Sequence, residues 1–143
     1  MNQFLGEFQM SASVQLHHKL FYHANSMPQK IGLMLDMQLL SFAEVMHCVQ
    51  TVAVHLVKGA PSVQPDEVVY QMVQRSLELP IGYFGILTAG GLYCALDPME
   101  STNRIDQLID QAGRTRSVIL HKATARQTYV ALTECSLHEN EFC

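Results

Sequence analysis

The 143-residue sequence predicts an α/β domain with a partial, mostly parallel sheet and flanking helices. Three observations carry this. Short apolar runs at 68–73, 92–96 and 117–121 recur about one βα unit apart, the pattern of a parallel sheet with right-handed crossovers. The stretches between them repeat apolar residues at helical spacing. The stretch Leu87–Pro98 joins a helix end, a glycine turn and a strand in twelve residues, and the rest of the chain is organised around it.

The elements follow in order. Residues 1–13 carry little pattern and read as a loose lead-in, 14–122 as the partial domain and 123–143 as a polar tail. From Val14 to Asn25, Leu16, Leu20, Phe21 and Ala24 recur at helical spacing, and Met27-Pro28 stops the helix. Ile31–Leu35 and Gln38–Leu40 read as short strands of a tight hairpin around Asp36-Met37. Ser41 and Glu44 have capping-box spacing. The helix they start places Phe42, Val45, Met46, Val49, Val52, Ala53 and Leu56 on one face, with Lys58-Gly59 as its stop. A proline-punctuated loop leads to the strand from Val68 to Val73. Pro80 then falls in a first helical turn, where its missing N–H costs little.

Gly90 and Gly91 are suited to the positive φ that often ends a helix. Leu92–Leu96 reads as a strand covered on both faces, ended by Pro98. Ser101 or Thr102 caps a helix with Ile105, Leu108, Ile109 and Ala112 on its buried face, and Gly113 ends it before the strand Ser117–His121.

Composition narrows the function. A chain of this length buries roughly 68–70% of its unfolded surface when fully packed. The charged fraction is 15%, below the usual ~25%, so some apolar surface expects a covering neighbour, either more of a larger domain or a second chain. A net charge of −4 argues against nucleic-acid binding, and Arg114, Arg116, Lys122 and Arg126 read as solvated surface. No run reaches the ~18 apolar residues of a membrane span. Cys48, Cys94, Cys135 and Cys143 form no C-x-x-C pair, and the N-terminus lacks a signal-peptide pattern, so a reduced, cytoplasmic protein is expected.

Several stretches resemble one family in register. Leu87, Ala89, Gly90, Tyr93, Leu96 and Asp97 match the motif L-K-A-G-x-A-Y-V-P-L-D of adenylate-forming enzymes, in particular adenylation domains of non-ribosomal peptide synthetases. Thr88, Leu92, Cys94 and Ala95 stand at the usual Lys, Ala, Val and Pro. Leu40-Ser-Phe-Ala-Glu-Val45 resembles the earlier motif L-T/S-Y-x-E-L. Pro28, Ile31 and Leu33 fit x-P-x-x-I-A-L, with Gly32 for its Ala; Asp66 and Val68 fit G-D-x-V, with Pro65 for its Gly. Arg75-Ser76-Leu77-Glu78 is similar to x-R-S-x-E, and Arg104 to the arginine of P-x-x-R-I. The resemblance runs from about residue 14 to 121 and implies the beginning of the family's large N-terminal subdomain.

The family binds ATP and a carboxylic acid, makes an acyl-adenylate and passes the acyl group to a thiol. The complete domain implies ATP and Mg as cofactors. The Ser/Thr/Gly-rich phosphate loop with its trailing Lys is missing from this sequence, as are the later ribose-binding Asp and catalytic Lys. Neither G-x-x-x-x-G-K-[ST] nor G-x-G-x-x-G occurs. Gly90-Gly91 precedes a strand, the wrong direction for a helix-dipole phosphate site. The expectation is a truncated adenylation domain, inactive alone, with no catalytic, cofactor-binding or metal residue of its own and no cofactor in this fragment. The residues that set amino-acid specificity are implied to lie downstream. Its partner would be the remainder of a synthetase, or another chain covering the open face.

Other constellations read as structural. His17, His18 and His23 lack acidic or thiol partners at metal-ligand spacing, and His47 and His55 are eight apart on one helix. Cys94 inside a strand reads as an inert thiol, and Asp97 as a turn residue. Met34, Met37, Met46 and Met72 read as core filling. Two rival functions remain open: a non-catalytic interaction module reusing the scaffold, and a flavodoxin-like ligand domain. The latter needs a phosphate loop after the first parallel strand, where Gln74-Arg75-Ser76 is a poor candidate.

Overall fold

A computed structural model describes residues 15–59, 62–112 and 117–120. The expected lead-in (1–13), the tail (123–143), Gly113, His121 and the basic residues Arg114, Arg116, Lys122 and Arg126 lie outside them. The order is α1 (Leu16–Ser26), β1 (Ile31–Leu35), β2 (Gln38–Ser41), α2 (Phe42–Lys58), β3 (Val68–Met72), α3 (Glu78–Thr88), β4 (Leu92–Ala95), α4 (Thr102–Ala112) and β5 (Ser117–Leu120). Strands β1 and β2 form an antiparallel hairpin, while β3 sits between β4 and β5 in a parallel sheet of order β4-β3-β5. The α/β class and the parallel register are as the sequence predicts.

Strand β3 is the axis of the fold. Its side chains alternate between two cores, as a strand buried on both faces must. Val69, joined by Val73 just past the strand, meets Val45, Val49, Val52 and Leu56 of α2 and Ile81 and Ile86 of α3. Tyr70 and Met72 meet Leu96 and the α4 pair Ile105 and Ile109. Helices therefore cover both faces. The hairpin lays Leu33 and Leu40 on the first core, and α1 adds Leu20.

Helix α2 starts as its sequence requires. The Glu44 N–H donates to Ser41 Oγ, and Glu44 Oε2 accepts from the Ser41 N–H (2.7 Å) and Oγ–H (2.8 Å). These hydrogen bonds favour the carboxylate and hold Glu44 below the ordinary range. On its buried face Met46 is only half-buried, and Cys48 joins the core.

The hairpin turns at Asp36-Met37 as expected, and Asp36 takes φ 51°, a region that a short polar side chain tolerates. Other details differ from the sequence reading. Gly59 ends α2 at φ −65°, without a left-handed cap. Met34 and Met37 are 70% and 95% exposed and fill no core; only Met72 is fully buried among the four methionines named. Alternation along β1 explains Met34: Leu33 turns to α2, so its neighbour turns to solvent.

A further difference concerns β4. Its residues are exposed or half-exposed, with Leu92 at 48%, because β4 has β3 on one side and no described strand on the other. The apolar run reads as a covered strand, yet the described residues leave it at an edge.

Candidate functional site

The turn that organises the sequence also organises the structure. Helix α3 ends at Thr88, and Gly90 takes φ 85° with open space where a side chain would stand. Its carbonyl accepts from the Asp66 N–H (2.9 Å), and Gly91 N–H donates to Ile86 O (3.0 Å). Gly91 has no positive φ; it is glycine because of crowding. A Cβ there would lie 3.1–3.3 Å from Val69 Cγ2, Ile86 Cγ2 and Glu67 O. The space against Gly91 is thus filled by protein, and the turn leads into a strand rather than a helix N-terminus. At the far end of β4, Asp97 Oδ1 accepts from the Met99 N–H (2.9 Å) and Asp97 O from the Glu100 N–H (3.1 Å), so Asp97 is a turn residue.

The β3–α3 junction holds an arrangement that the sequence reading missed. Gln71, 1% exposed in the middle of β3, donates from Nε2 to Leu79 O (3.1 Å) and Glu78 O (3.4 Å) in the first turn of α3. A Cβ on Gly82 would meet that nitrogen at 2.2 Å, so Gly82 makes room for the amide. Gln71 Oε1 is buried without a partner, as are Ser76 Oγ and Thr88 Oγ1. The available signal was one polar residue inside an apolar strand, followed by a glycine inside a helix. Gln74 and Arg75 are exposed.

No group of three or more His, Cys, Asp or Glu is gathered to hold a metal among the described residues. His17 is buried, edge-on to His18 and Phe21, with Nδ1 unpartnered. Burial, then the neighbouring His18, lowers its pKa. His23 stacks on Phe42 (6.0 Å). His47 and His55 line a depression of about 310 Å³ with Gln50, Thr51 and Val54, all on α2. Cys94 is free and half-buried, and burial pushes its thiol up, away from nucleophilic character.

The direction for His17 fixes a pH dependence. Its neutral form is favoured in the fold, so its contribution is complete above the unfolded value near 6.5 and is lost as pH falls through the lower folded value. Glu44, also lowered, acts in the same sense at more acid pH. Urea midpoints should therefore decline from pH 7 to pH 5, and His17→Phe should flatten that decline. An unchanged slope would remove His17 from the account.

Residues 20–140 match the family model described as AMP-binding enzyme. The chain belongs to the AMP-binding enzyme family. It is 34% identical over 99 residues to zwittermicin A synthase ZmaJ of Bacillus cereus, covering 66% of this chain and 18% of that protein. It is 32% identical over 117 residues to AMB antimetabolite synthetase AmbB of Pseudomonas aeruginosa, covering 82% of this chain and 9% of the relative. The AMPPNP-bound nonribosomal peptide synthetase FmoA3 shares the fold with TM-score 0.80 and 21% identity, over 90% of this chain and 14% of its own. The Klebsiella oxytoca NpsA N-terminal subdomain shares it with TM-score 0.72 and 15% identity, over 86% of this chain and 31% of that subdomain. This member of the family thus has the fold of the N-terminal part of an adenylation domain and spans under a fifth of those two curated relatives. No described helix is long and apolar enough to cross a membrane.

Proposed function

We propose that residues 14–122 are the opening part of the large N-terminal subdomain of an adenylate-forming domain of the non-ribosomal peptide synthetase type. In this reading the 143 residues form no acyl-adenylate by themselves and bind no cofactor. They supply the scaffold β3-α3-β4 and α4, and the rest of an adenylation domain supplies the groups that hold ATP, Mg and the amino acid. The observation that carries it is coverage: nine-tenths of this chain superposes on FmoA3, yet corresponds to 14% of it. The sequence supports it too, having no Ser/Thr/Gly-rich loop with a trailing Lys.

The test is ATP–pyrophosphate exchange by the purified 143-residue chain with each proteinogenic amino acid. Exchange should stay at the no-enzyme background for all of them. A tenfold excess with any one, abolished by pre-boiling and absent from a mock purification, would end the claim of inactivity.

A second reading has one observation in its favour. The hairpin presents Met34 directly opposite Leu39, with Met37 at the tip, and all three are more than half exposed. A non-catalytic module binding a partner through that apolar face would be monodisperse alone, whereas an unpartnered piece of a domain would self-associate.

A further inference from the structure

The unprotected side of β4 has specific chemistry. The N–H groups of Leu92, which opens β4, and of Leu96, just past its end, reach back to Glu67 O (2.7 Å) and Gln71 O (2.9 Å). Alternation then directs the N–H and C=O of Tyr93 and Ala95 away from β3, where no described strand lies. Edge strands are usually blunted by charge, proline or a bulge; Leu92-Tyr-Cys-Ala95 has none of these. Beside it, α3 is apolar nearly all round, the pattern of a helix covered on every side. Yet its Leu79, Tyr83 and Leu87 are exposed or half-exposed. Tyr83 packs edge-on to Tyr93 at 4.7 Å, so helix face and strand edge form one surface.

We propose that this surface docks an extended strand from a part of an adenylation domain lying beyond these 143 residues, hydrogen-bonded to the outward groups of Tyr93 and Ala95. The inference rests on the proposed function above. The choice of occupant rests on two observations. An open strand edge offers backbone donors and acceptors at strand spacing, which only another strand satisfies in series. The isolated NpsA subdomain of the same fold contains more than three times the chain matched here, since this chain covers 31% of it. That remaining polypeptide has to pack on surfaces such as this one.

The test follows amide hydrogen exchange of the peptide spanning 92–96 in two proteins. One is the 143-residue chain alone at two concentrations; the other is the same chain substituted for the matching segment of ZmaJ. The Tyr93 and Ala95 amides should exchange freely in the first and at least about 100-fold more slowly in the second. Ala95→Pro, which removes an outward N–H, should leave the melting of the isolated chain unchanged while weakening the chimera. Free exchange in a folded chimera that performs ATP–pyrophosphate exchange overturns the inference and leaves the proposed function standing. A folded chimera without that exchange, but with 92–96 protected, supports the docking and counts against the function. Protection in the isolated chain at both concentrations means that the edge is closed from within; protection only at the higher one means that a second copy occupies it. Either result overturns the inference. Should the chimera fail to fold, co-expression of the two pieces as separate chains gives the same readout: protection of 92–96 in a co-purifying complex supports the docking, and a complex with this peptide unprotected, or no complex, overturns it.

Discussion

Gly85→Ala should lower stability by about 2 kcal/mol, although alanine is the better helix former by about 1 kcal/mol. A Cβ at Gly85 would stand 2.5 Å from Val52 Cγ1 and 2.8 Å from Val52 Cβ, at the crossing of α3 and α2. Val52 is fully buried, so it has no solvent side to turn to. The added methyl must push the helices apart or force Val52 off its rotamer, and overpacking of this kind costs about 1–3 kcal/mol or more. Val52→Ala alone should also cost about 2 kcal/mol, through lost burial and the cavity left behind. Together the two changes exchange volume across one contact, so the double variant should be at least about 1 kcal/mol more stable than the sum predicts. Urea denaturation of the four proteins measures that difference. Strict additivity would mean that α2 and α3 do not cross at Gly85.

Why was Gly85 not legible beforehand, when so much around it was? The sequence reading placed α2 and α3 correctly because capping and periodicity are local signals: Ser41 and Glu44 are three residues apart, and Pro80 reports on its own turn. The same holds for the turn at Gly90 and for Asp97. A glycine that serves an interhelical contact shows no local sign, since its reason lies 33 positions away at Val52. Gln71 is a similar case. A polar residue amid Val69, Tyr70 and Met72 breaks the apolar run, but its acceptors at Glu78 and Leu79, and the space at Gly82, exist only once the crossover folds back. For β4 the error has a different cause. Its composition is that of a covered strand, whereas the exposure of Leu92 reports the cover present among the described residues. Met34 and Met37 were misread because an amino-acid type was taken for a location. Alternation within β1 was the better guide, since Leu33 faces α2.

Tyr70→Ala should be the most damaging truncation, at about 3–5 kcal/mol. That is a large part of the roughly 5–15 kcal/mol by which a domain is stable. Tyr70 is fully buried on the central strand, and its ring fills the core between β3 and α4 with Met72, Leu96, Ile105 and Ile109. Its hydroxyl donates to Ile109 O at 3.4 Å, a long bond, and burial raises the phenol above its usual range, with smaller effects of Cys94 and Asp110. Ring and hydroxyl can therefore be separated. Tyr70→Phe keeps the ring and loses only the long bond, so it should cost about 1 kcal/mol or less. Tyr70→Ala removes the ring and, with it, the surface on which α4 is seated. Because the buried residues Ile105 and Ile109 of α4 sit in this cluster, its amides should lose protection before those of α2, whose core lies on the opposite face of β3. Thermal melts would rank the two variants, with Met37→Ala as the exposed control, and exchange along 102–112 would locate the damage. A Tyr70→Ala protein that melts with the control would mean that α4 does not depend on β3. The two-faced sheet described for this member of the family would then be wrong at its centre.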